Sequence, residues 1–131
     1  MVNLFVDVPT APGVPDVNIH SLSSAHLKWA APSTDGGSRI THYCIEYRMQ
    51  GFFHWREEST TSAALSYTVQ GLSKNCSYTF RVKALNAAGE SPPSDECNPI
   101  KIEIAEGELS MAAATTIIST VYLSQKSQAL S

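Results

Sequence analysis

Charge is scarce and scattered in this chain of 131 residues: nine Lys and Arg stand singly against twelve Asp and Glu, for a formal net charge of -3. With no basic cluster to neutralise phosphates, nucleic acid is excluded as a partner class. Long apolar runs are missing too. The uncharged stretch 110–125 contains Met111 to Leu123, which is shorter and richer in Ser and Thr than the roughly 20 apolar residues a spanning helix needs. No membrane span is expected. At the other end, residues 1–8 carry no basic region and Asn3 and Asp7 break the apolar run, so a signal peptide is not expected. Catalytic signatures are absent: no Gly-x-Ser-x-Gly elbow, no Gly-rich phosphate loop, and in Glu57-Glu58 two adjacent carboxylates that a strand would point to opposite faces. The histidines His20, His26, His42 and His54 fall in different segments without metal-site spacing. His42 and Cys44 share a strand face, yet zinc needs further convergent ligands. No enzyme, metal site or cofactor is expected.

What is present is strand patterning. Hydrophobic residues make up 43% and charged residues 16%, ordinary globular usage rather than the composition of disordered chains. The length suits one domain with a little excess. Pro9, Pro12 and Pro15 form a stiff lead-in that cannot be a central strand. Val17 and Ile19 then alternate as a first strand, and Leu27 and Trp29 as a second, with His26 and Lys28 on its other face. Asp35-Gly36-Gly37-Ser38 has turn chemistry. Beyond it Tyr43, Ile45 and Tyr47 point inward while His42, Cys44, Glu46 and Arg48 point outward. A turn around Gly51 leads to a short strand over 53–57 carrying Trp55, and Tyr67 and Val69 are the inward set of the next strand. Tyr78, Phe80, Val82 and Ala84 alternate with Thr79, Arg81 and Lys83, and Ile100, Ile102 and Ile104 close the series. Seven short strands bounded by Gly, Pro and Ser clusters predict an all-β sandwich over 9–104. Residues 1–8 read as a leader or linker and 105–131 as a disordered tail, with a risk of self-association through 116–123.

Three segments carry a family resemblance: Gly71-Leu72 through Tyr78-Thr79-Phe80-Arg81-Val82, the isolated Trp29, and Asp35-Gly36-Gly37-Ser38-Arg39-Ile40-Thr41-His42-Tyr43. Together they make the chain similar to a fibronectin type III domain. The resemblance implies a seven-stranded antiparallel, immunoglobulin-like β-sandwich, with a short flexible N-terminal leader and a C-terminal tail. It implies a core of Trp29, Tyr43, Ile45, Tyr47, Leu72, Tyr78, Phe80 and Val82. Leu72 would plug one end, and Tyr78 would be the corner tyrosine whose hydroxyl meets backbone upstream. Lys74 stands where the family often has Pro, and Arg39 and His42 depart from its usual Pro and Gly; neither challenges the fold. The family's sheet order puts Cys44 and Cys97 at one end with a strand between them and Cys76 at the other, so no bridge within the domain is expected. Free thiols fit a reducing compartment.

Such domains are usually binding or spacing modules, and a small sandwich filled by its own side chains offers no substrate cavity. A protein partner is expected rather than a small-molecule substrate. The turn Ala88-Gly89-Glu90-Ser91 lacks an Arg-Gly-Asp motif, which removes integrin binding through that loop. Glu46, Arg48, Arg81 and Lys83, outward on neighbouring strands, form the candidate protein-binding face; the plainer reading is a solvated sheet with weak ion pairs. The expected role is a non-catalytic interaction and spacer module of an intracellular, cytoplasmic multidomain scaffold. The alternative is an ectodomain module of a cell-adhesion or receptor protein. In that case Asn75, in Asn75-Cys76-Ser77, would be a glycosylation acceptor.

Overall fold

Strands lie at β1 (Asp16–Ser21), β2 (Ser24–Lys28), β3 (His42–Met49), β4 (Arg56–Ser59), β5 (Ser66–Val69), β6 (Ser77–Asn86), β7 (Gly89–Glu90) and β8 (Ile100–Lys101) in a computed structural model that describes residues 5–103, and alternating apolar residues give β1, β2, β3 and β6 their inward faces. Ile104 and the expected tail 105–131 lie outside the described residues. One sheet has the order β1-β2-β5 and the other β4-β3-β6-β7, with β8 also paired to β6; all pairings are antiparallel. The seventh strand position is thus filled by two short pieces, β7 and β8. Val17, Ala25, Leu27 and Val69 from the first sheet meet Tyr43, Ile45, Tyr47, Tyr78, Phe80, Val82 and Ala84 from the second in a single core, closed by Trp29, Leu72 and Ile102. That is a β-sandwich.

Local chemistry explains the ends. Ser73 N donates to the Tyr78 hydroxyl at 2.8 Å, five residues upstream, which is the corner bond that the sequence pattern implies. Leu72 is buried and its N donates to Ser23 O. Asn75 holds φ at 66°, a left-handed conformation that asparagine tolerates better than most residues. Its N–H is taken by Ile102 O, while Ile102 N returns a bond to Cys76 O.

Pro92 and Pro93 interrupt the stretch between β7 and β8 because proline supplies no ladder donor. The sheet is completed another way. Ser91, Ser94 and Cys97 donate their backbone N–H groups to Ala84 O, Val82 O and Phe80 O. In return Ala84 N and Val82 N donate to the Ser91 and Ser94 hydroxyls at 2.8 and 2.9 Å, and Phe80 N to Cys97 Sγ at 3.3 Å. Each step on this edge spends three residues where β6 spends two, in the manner of a repeated bulge, and side chains supply the missing acceptors.

Two expectations need correction. The short strand expected over 53–57 lies at Arg56–Ser59: Phe52 N closes a turn onto Met49 O, and Phe53 and His54 are exposed before pairing begins. Cys97 is not level with Cys44. It sits beside Phe80, whereas Cys44 pairs with Lys83 further along β6, because the bulged edge uses up residues faster than a regular strand. All three cysteines are free thiols. Of the expected leader 1–8 only residues 5–8 are described, and there Asp7 N donates to Gly36 O at 2.9 Å.

Candidate protein-binding face

The sequence places Glu46 and Arg48 on β3, and Arg81 and Lys83 on β6; the register pairs Glu46 with Arg81 and Cys44 with Lys83. Cross-strand neighbours stand close enough for their side chains to meet. Glu46 Oε1 lies 2.8 Å from Arg81 Nε, Glu46 Oε2 lies 3.5 Å from Lys83 Nζ, and Lys83 also reaches Glu90 at 3.6 Å. Arg48 turns the other way, to Glu96 at 2.9 Å. The structure therefore brings Glu46, Arg81 and Lys83 into one cluster and leaves Arg48 in a separate pair.

Alternation alone makes these four residues solvent-facing, and here the structure departs from it. Glu46 is 5% exposed and Cys44 3%. Arg81 and Lys83 shield Glu46, and Arg81 lies on Trp55. Its ring lies across the face with the Arg81 guanidinium 3.9 Å and the Arg48 guanidinium 4.6 Å from its centroid, an arrangement in which two cations share one π-face system. The indole and the two guanidiniums thus form a roof beside Glu46. A buried carboxylate is tolerated because Arg81 and Lys83 both neutralise it.

Cys44 is buried further along the same side of β3, paired with Lys83. Its Sγ donates to Glu57 Oε2 at 3.4 Å. Burial, then the Glu57 hydrogen bond and the nearby carboxylates of Glu57 and Glu46, push the thiol up to about 12, against a smaller opposing pull from Lys83. Burial pushes the Cys97 thiol up as well. Thiolate is the reactive form, and both shifts work against it.

Beside the roof, Arg48, Glu96, Thr79 and Pro99 line an open groove of about 530 Å³ rimmed by Phe52 and Phe53. These two phenylalanines are 63% and 90% exposed. Strand patterning missed both Trp55 as a roof and the phenylalanines as a surface. The available signal was a pair of large apolar residues directly after Gly51, where a turn leaves no core to bury them. Among the described residues, no group of three or more His, Cys, Asp and Glu could hold a metal ion. His26 and His42 bond instead to Thr68 and Thr41 hydroxyls. No helix among the described residues is long and apolar enough to cross a membrane.

Comparison with known proteins agrees with this architecture. The family model for the fibronectin type III domain matches residues 10–100. A titin homolog of Caenorhabditis elegans is 38% identical over 97 residues, covering 74% of this chain and 0% of the relative. The cell adhesion molecule-related/down-regulated by oncogenes protein of Xenopus laevis is 36% identical over 97 residues, covering 72% of this chain and 8% of the relative. Titin module A71 from human cardiac muscle superposes with a TM-score of 0.66 at 36% identity, covering 74% of this chain and 95% of that module. The chain thus spans less than a tenth of the length of these two curated relatives.

Proposed function

Because the chain belongs to the fibronectin type III family, matched over residues 10–100, we propose that it works as a non-catalytic interaction and spacer module of an intracellular multidomain scaffold. The observation that carries this reading is the relation to the titin homolog: one module's worth of sequence matches at 38% identity within a relative of which it is a vanishing share. A unit used that way contributes a folded length and a surface, not a reaction.

The surface in this reading is the roofed face. Glu46, Arg81 and Lys83 are committed to one another, so they shape the face rather than offer free charge. Contact falls to Arg48, Trp55 and the adjoining Phe52 and Phe53. Aromatic and Arg side chains are the types that most often dominate interface energetics. The test is retention of proteins from a muscle extract on the parent and on a Phe52→Ser, Phe53→Ser variant of equal melting temperature. A partner held by the parent and lost by the variant is expected; equal retention of every specific partner by both rejects this face.

The second reading, an ectodomain module, is favoured by the adhesion-molecule relative and by the exposure of Asn75 within its acceptor tripeptide. Protease treatment of intact cells expressing the full transcript separates the two. Protection of an epitope in this module is expected for a cytoplasmic scaffold, and cleavage would select the ectodomain.

A further inference from the structure

The lead-in is bound to the sandwich at every third residue. Pro9, Pro12 and Pro15 are all buried, the repeat of a polyproline II turn. Asp7 N, Thr10 N and Gly13 N donate to Gly36 O, Thr34 O and Ala30 O at 2.9, 3.1 and 3.0 Å. At the first rung three segments meet on Asn86, the last residue of β6, which is 7% exposed. Its Nδ2 donates to Asp7 O at 2.8 Å and to Asp35 O at 2.6 Å, with Ser38 O at 3.5 Å; its Oδ1 accepts from Ala88 N at 2.8 Å and Gly89 N at 3.3 Å. Gly36, at φ 79°, permits the approach: a Cβ there would run into the Asp7 and Val8 backbone carbonyls.

We propose that Asn86 and Gly36 form a clasp that fixes the direction in which the polypeptide enters the module. A folded module on the N-terminal side would then be held at a set angle instead of swivelling on a free linker. The physical ground is the number of bonds that a swivel must break: the Asp7 N–H and C=O are both engaged, one by the β2–β3 loop and one by the end of β6. Prolines at 9 and 12 remove most of the rotational freedom just behind them. The purpose of the clasp rests on the spacer reading, but the clasp itself does not, so the experiment reads the clasp directly.

That experiment is amide hydrogen exchange on the whole chain, with Asp7 as the reporter and Val82 as the reference for the intact sandwich. Asp7 is exposed, so protection of its amide reports the bond to Gly36. In the parent the Asp7 amide is expected to exchange well below its intrinsic rate. Gly36→Ala should speed it by about tenfold or more with Val82 unchanged. Gly37→Ala is the control: its φ of 94° is equally unfavourable for alanine, but its Cβ would meet only Phe5 O, at 3.3 Å. It should leave Asp7 within about threefold of the parent. If Gly36→Ala also exposes Val82, Asn86→Asp replaces it as the deciding variant, since it removes the donor to Asp7 O while keeping the shape. An Asp7 amide unprotected in the parent, or one that Gly36→Ala or Asn86→Asp leaves as protected as before, overturns the clasp. Cleavage of the module on intact cells would reject the scaffold reading without touching this result.

Discussion

Tyr78 and Cys44 show how single atoms set stability here. The Tyr78 hydroxyl is the acceptor for Ser73 N, and Tyr78 is 5% exposed. Tyr78→Phe keeps the ring against Tyr47 and Phe80 but orphans that N–H, so it should cost about 1–3 kcal/mol, read as a lowered urea midpoint. An unchanged midpoint would mean that the corner bond contributes nothing. Cys44 acts through pH. Its thiol is held near 12 in the fold against 9.0 for the free group, so the folded state retains a proton that the unfolded state releases. The contribution is therefore whole below about pH 9 and is lost as pH rises towards 12, at no more than about 1.4 kcal/mol per pH unit. Urea midpoints measured upward from pH 8 should fall more steeply for the parent than for Cys44→Ala; parallel slopes would contradict the burial of this thiol.

At the scale of elements, β3 and β6 hold the candidate face. A two-residue period makes Arg81 an outward, solvent-facing charge, whose reversal would leave the fold intact. The structure gives the opposite expectation. Arg81 neutralises the buried Glu46 and lies on Trp55, so Arg81→Glu sets two carboxylates against each other and removes the cation from the ring. With Arg81 itself still 23% exposed, the cost should be about 2–3 kcal/mol, below that of breaking a fully buried pair. Thermal melts of Arg81→Glu and Lys83→Glu compare the two positions, and Arg81→Glu should melt lower. Equal melting would mean that the roof is not an energetic unit. The edge between β7 and β8 makes a related point: its bulged path leaves the Val82 and Ala84 N–H groups without backbone acceptors, and the Ser94 and Ser91 hydroxyls accept them instead.

For the whole molecule, the two sheets are joined by one cluster in which Trp29 meets Tyr43 edge-on at 5.2 Å between ring centroids. Trp29 is 6% exposed. Trp29→Ala should therefore cost about 3–5 kcal/mol, a large part of the roughly 5–15 kcal/mol available to a domain of this kind. Loss of a cooperative urea transition, or a midpoint shifted by that amount, is the expected result. A variant as stable as the parent would show that the sheets are held together elsewhere.

The strands and most inward residues were legible in the sequence because they depend on local rules: side chains alternate in a strand, and turns need Gly or Asn where φ is positive; the corner at Tyr78 was legible through the family resemblance. Tertiary structure decided what lies on top of those strands. Glu46 is shielded on the outward side of β3 by Arg81 and Lys83, and the Trp55 on which Arg81 lies comes from the different segment that β3–β4 pairing brings alongside. Cys44 and Glu46 were read as outward and are outward, but they are buried all the same. The Asn86 clasp was invisible for the same reason, since residues 7, 35 and 86 become neighbours only when the lead-in, the β2–β3 loop and the end of β6 converge at one pole. Periodicity is a property of neighbours along the chain; burial and hydrogen-bond partners are properties of neighbours in space.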